Sequence, residues 1–145
     1  MAAITTPTFA NPQTKPAGAT DYPLYADNGN EIYINGQACA VLKAPINLAV
    51  ASTPQTVVTG VAGQKIRLLS AYWTNTTAGG SGAFNTSTSH ASMVGPMIAA
   101  ANQTVSLPFN KFGYGDTGTG DNLEFASVGS SNQSGGVVQY CFFTP

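Results

Sequence analysis

The residue types best suited to chemistry gather in one stretch, GYGDTGTGDNLEF, residues 113–125. Gly113 to Gly118 spell G-x-G-x-x-G, and Asp116, Asp121 and Glu124 add three carboxylates. A glycine cradle of this kind holds a dinucleotide only where a strand leads into a helix whose N-terminus faces the pyrophosphate. Here DNLEFASV follows, which is strand-like. Calcium needs roughly six to eight oxygens about one point. The EF-hand spacing fails, and G-G-x-G-x-D is partly met and not repeated. The stretch therefore reads as a Gly-rich connection in which Gly and Asp supply turn geometry, with no metal and no nucleotide expected at 113–121. His90, in STSHAS, is the only histidine. A Ser-His-Asp triad with Asp116 or Asp121 is conceivable. Yet no G-x-S-x-G elbow exists, since GGSGA at 79–83 misses its last glycine. Nothing in the carboxylate spacing favours glycoside hydrolysis. A non-catalytic protein without a cofactor is the expectation.

Composition points the same way. The 145 residues suit one domain large enough for a real core. Charged residues are only 8% of the chain, against a usual ~25%, so polarity rests on Ser, Thr, Asn, Gln and Gly. Such a surface suits large packed contacts with few charges to desolvate. The five basic residues, Lys15, Lys43, Lys65, Arg67 and Lys111, are scattered, which argues against a nucleic-acid partner. No stretch approaches the ~18 apolar residues of a membrane helix, and MAAITTPTFANP lacks the pattern of a secretory signal. Cys39 and Cys141 match no zinc spacing. They bridge or sit free as small buried residues, the latter reading being favoured without an export signal.

Those residues must be held by strands. Residues 1–30 carry Pro7, Pro12, Pro16 and Pro23 and read as an extended arm. In 31–43, EIYINGQACAVLK, Asn35-Gly36 predicts a β-hairpin through a type I′ turn. From 46 to 143 short strand candidates follow at 46–52, 55–61, 64–74, 89–95, 95–101, 104–109, 122–128 and 136–144. This spacing predicts an all-β, antiparallel sandwich of jelly-roll type over 31–145, without substantial helix.

Strand 64–74 is apolar on both sides. Ile66, Leu68, Ser70 and Tyr72 alternate with Lys65, Arg67, Leu69, Ala71 and Trp73. In the last strand Val137, Gln139, Cys141 and Phe143 alternate with Val138, Tyr140 and Phe142. A sandwich needs one apolar face per sheet, so the second face predicts cover by the arm, a loop or another subunit. The expected assembly interface comprises Leu69, Trp73, Tyr140 and Phe142, with Phe9, Tyr22 and Tyr25 of the arm as anchors.

Three segments together, TGVAGQKIRLLSAYW, GPMIAAANQTVSLPFNKFGYGDTGTGDNLEF and GGVVQYCFF, resemble small β-sandwich virion proteins of tailed bacteriophages. They are most similar to capsid decoration, or cement, proteins. The likeness rests on Gly63 before the basic-apolar strand, Gly95-Pro96, Pro108-Phe109-Asn110 before the glycine loop, and the apolar last strand. It covers about two thirds of the chain, and residues 1–45 depart from it. The resemblance implies a structural protein, made in the host cytoplasm, that binds the major capsid protein on the outer shell as a homotrimer and reinforces it. It implies no catalytic residue or cofactor. The alternative is a receptor- or carbohydrate-binding module of a tail or fibre. That site would stack a sugar on Trp73 or Tyr114 beside Asp116, Asn122 or Asn85.

Overall fold

The computed structural model describes residues 31–48, 54–75, 79–128 and 134–145. The arm, with Phe9, Tyr22 and Tyr25, lies outside them. Every regular element among the described residues is a strand. β1 (Glu31–Ile34) and β2 (Gln37–Ala40) form the expected hairpin, with Asn35 and Gly36 both at positive φ, 51° and 76°. That pair of angles is what a type I′ turn requires and what Asn-Gly tolerates cheaply.

The other strands are β3 (Leu42–Leu48), β4 (Gln55–Val58), β5 (Lys65–Asn75), β6 (Gly80–Thr86), β7 (Ser92–Ala99), β8 (Thr104–Leu107), the two-residue β9 (Gly115–Asp116), β10 (Leu123–Val128) and β11 (Ser134–Phe143). One sheet runs β3-β11-β5-β8, with β9 also paired to β5, and the other runs β4-β10-β6-β7. All pairings are antiparallel. With the hairpin and β9 set aside, successive strands distribute as 1-8-3-6 and 2-7-4-5, the jelly-roll order.

Between the sheets lies the main core. Ala44, Ile46, Leu48, Ile66, Leu68, Ala71, Trp73 and Val138 meet Val58, Phe84, Leu123 and Phe125. Trp73, Phe84 and Phe125 pack edge-on or tilted, with centroids 5.0 to 6.1 Å apart. Gly82 lets the two sheets close on these rings. A Cβ there would stand 2.7 Å from Phe125 and 2.9 Å from Trp73.

Three sequence expectations are corrected. Residues 80–86, absent from the strand candidates, form β6, a central strand whose glycines mark close approach. The candidates 89–95 and 95–101 are one strand, β7, continuous through Gly95-Pro96. The third concerns β5. Its register against β11 shifts between Gln139 and Tyr140, so Leu69 and Ser70 together oppose Gln139. This β-bulge adds a residue and flips the alternation. Ile66 and Leu68 therefore share the inner face with Ala71 and Trp73, whereas Leu69, Ser70 and Tyr72 lie on the outer face.

Part of the second apolar face is covered by this chain's own hairpin, an element not among the expected covers. Ile32, Ile34 and Cys39 descend on Leu69, Cys141 and Phe143 of the outer face, closing a second small core.

Candidate functional site

The hairpin covers only one end of the outer face of the β3-β11-β5-β8 sheet. The uncovered part follows from the register. One row across it is Pro45, Val137, Tyr72 and Ser106. On one side lie Asn47, Gly135, Thr74 and Thr104; on the other lie Lys43, Gln139 and Ser70. Lys43, Ser70, Tyr72, Val137 and Gln139 line a shallow depression of about 310 Å³. Tyr72 stands in its wall with 51% of its surface exposed, unusual for a tyrosine in a central strand.

Hydrogen bonds set the polar groups of this face. Ser70 donates its hydroxyl to Gln139 Oε1 at 2.7 Å, which turns the two N–H donors of the Gln139 amide the other way. The Thr74 and Thr104 hydroxyls are 2.7 Å apart. Lys43 is the one charge in these rows. The face therefore offers an aromatic ring, amide and hydroxyl groups and one ammonium, on a rigid sheet.

The expected interface residues sit elsewhere. Leu69 and Trp73 have no exposed surface, being buried in the hairpin core and the main core respectively. Tyr140 and Phe142 are half-buried on the inner face, packed against the main core with rings T-shaped at 5.6 Å. A sugar cannot stack on a buried Trp73. Tyr114 is half-buried and donates its hydroxyl to Pro108 O at 2.8 Å, and Asn85 is buried. Tyr72 was misread because, in strict alternation, Ser70 and Tyr72 fall on the same side as Ile66 and Leu68. The signal that would have found it is the Leu68-Leu69 doublet before Ser70, where strict alternation breaks.

The glycine stretch is bound into the fold. Thr117 is buried and exchanges bonds with Ile66: its N–H donates to Ile66 O, and Ile66 N–H donates to Thr117 Oγ1, each at 2.9 Å. Its three acids turn to different partners. Arg67 donates twice to Asp116, at 2.7 Å each. Asp121 accepts from the hydroxyls of Thr86 and Thr88, which hold its carboxyl below the ordinary carboxylate range. Glu124, nearly buried, lies 2.8 Å from His90 Nδ1. These carboxylates brace strand connections at one end of the sandwich, and no three His, Cys, Asp or Glu gather as metal ligands among the described residues.

Other large apolar side chains are exposed too, Leu42, Val61 and Phe109 in part and two more fully. Ile98 on β7 is 84% exposed, and Phe112, in the loop after β8, is 74% exposed. Comparison with protein-family models, with curated proteins and with solved structures finds no match for this chain.

Proposed function

We propose that this chain is a structural virion protein that binds and reinforces the outer surface of a bacteriophage capsid, a decoration or cement protein working as a homotrimer against the major capsid protein. The observation that carries the reading is the outer sheet face centred on Tyr72, almost uncharged and held rigid by three central and flanking strands. Little charge must be desolvated when such a face is covered. The jelly roll is a frequent capsid architecture, though it is equally a lectin one. The sequence resemblance favours the capsid.

Size sets a further requirement. Four strands ~4.8 Å apart and three residue rows ~6.8 Å apart make a patch of roughly 390 Å², about half the ~800 Å² per partner of a stable interface. A second contact is needed. Residues 1–30, with Phe9, Tyr22 and Tyr25, have the length and the aromatics to supply it, and exposed Phe112 and Ile98 offer more. The deciding experiment is copy number on purified particles. Stoichiometric occupancy of the shell supports cement; a handful of copies refutes it and supports a tail or fibre position.

The depression at Tyr72 favours one second reading, a carbohydrate-binding module of a tail or fibre. A tyrosine ring beside Ser70, Gln139 and Lys43 has the composition of a sugar site. Glycan binding that Tyr72→Ala abolishes, together with low copy number, would establish it in place of the first.

A further inference from the structure

The hairpin of β1 and β2 shares no backbone ladder with either large sheet. Among the described residues, Ile32, Ile34 and Cys39 pack it against Leu69, Cys141 and Phe143. Within this small core the two thiols come together: Cys39, on β2, whose thiol donates to Gln37 O at 3.6 Å, and Cys141, on β11, are both free and buried in the one cluster. They are far apart in sequence, and each lies on a different element. Arg67, paired in register with Cys141, stacks its guanidinium 4.9 Å from the Phe143 ring centre and closes one side of the cluster.

We propose that Cys39 and Cys141 form a dithiol site that a low-molecular-weight disulfide oxidises to an internal bridge, tying the hairpin to β11. The thiolate is the attacking species in such exchange. The neighbouring Cys141 thiol lowers the Cys39 thiol to about 7, against the opposing effect of burial, and nearby Arg67 adds to the lowering. Cys141 is raised, chiefly by the Cys39 thiol beside it. Cys39, on the hairpin that moves away from the sheet, is the attacking thiol, and Cys141, on β11, resolves.

The exchange balances in two displacements. The Cys39 thiolate attacks one sulfur of the reagent, RSSR, forming Cys39–S–SR and expelling RS⁻. Cys141 gives its proton to solvent and attacks the Cys39 sulfur, forming the Cys39–Cys141 bond and expelling a second RS⁻. Two thiols are oxidised and one external disulfide is reduced to two thiols. Both cysteines are buried, so the reagent reaches them when the hairpin lifts, a local opening that breaks no ladder with the sheets.

The test needs only the full wild-type chain. Folded and urea-unfolded protein are equilibrated in matched buffers of oxidised and reduced glutathione, acid-quenched and weighed intact. The folded chain is expected to become about 2 Da lighter at a glutathione ratio at least tenfold more reducing than the unfolded chain requires. A peptide joining Cys39 to Cys141 should appear, and dithiothreitol should reverse the change. The oxidised form should melt at higher temperature. Cys39→Ser and Cys141→Ser should instead accumulate a single glutathione adduct. Bridging no more favourable in the folded chain than in urea, lasting adducts on the wild type, or a lower melting temperature after oxidation would each overturn the proposal.

Discussion

Gly82→Ala should damage the aromatic core of this fold. The added Cβ stands 2.7 Å from Phe125 Cζ and 2.9 Å from Trp73 Cε2 and Cζ2, inside the distance that carbon atoms tolerate. Neither ring is the free end of a flexible chain. Trp73 and Phe125 have no exposed surface, pack on each other at 5.4 Å, and both touch Phe84. Relief must come by spreading β6 from β5 or by tilting two rings together. Overpacking of this kind costs about 1–3 kcal/mol, which at about 3–4 °C per kcal/mol for a chain of this length lowers the melting temperature by roughly 3–12 °C. Gly135→Ala is the control. Its Cβ meets nothing within 4 Å on the outer face, and lost freedom in the unfolded chain should leave stability unchanged or raise it by about 0.4–1 kcal/mol. Thermal and urea unfolding, followed by the fluorescence of the single tryptophan, reads both, because Trp73 lies in the perturbed cluster. A Gly82→Ala protein that melts within 1 °C of wild type, or above it, would refute the packing argument.

Tyr72→Ala should leave stability within about 0.5 kcal/mol, as for an exposed site, while weakening attachment to particles at least tenfold in a sedimentation assay; unchanged attachment would remove the outer face from the interface. A chain truncated to begin near Asn30 should fold, by circular dichroism, yet no longer bind or stabilise shells; full binding by the truncated chain would exclude the arm as a tether. Asp121 governs an acid response. Its folded carboxyl is depressed by Thr86 and Thr88, so its stabilisation is fully present above the unfolded value of about 3.9 and is lost as pH falls through the lower folded value. Asp121→Asn should be less stable than wild type at pH 7 and lose less between pH 4 and 2; parallel stability–pH curves would show that the Asp121 carboxylate does not contribute.

The all-β architecture was legible because turn residues punctuate the chain, and the hairpin because Asn-Gly has few other uses. β5 was legible over 64–74 against an observed Lys65–Asn75. Local pattern failed where a residue answers to a distant partner. The glycines of β6 look like a loop until Trp73 and Phe125 are seen to occupy the space a side chain would need. The extra residue at Leu69 is specified by β11, about 70 residues away, and moves Tyr72 from the expected core to the surface. Because the depression joins Lys43 of β3, Ser70 and Tyr72 of β5, and Val137 and Gln139 of β11, no single stretch of sequence displays it. The meeting of Cys39 and Cys141 is hidden for the same reason.

The strand order also dictates a schedule of assembly. Among the described strands only β1–β2 and β6–β7 join neighbours in the chain; every other ladder spans intervening strands. β11 lies between β3 and β5 and supplies a hydrogen-bonding partner to both. Leu48 must wait for Ser134, about 90 residues later, before that ladder can form, and topologies of such high contact order fold in milliseconds to seconds. On a ribosome adding about 5–20 residues per second, β3 and β5 spend several seconds as apolar strands with open edges. A polypeptide made in many copies at once would then hold a large pool of half-built sheets, and the yield of native protein would depend on how well the cell's chaperones shield those edges until β11 emerges.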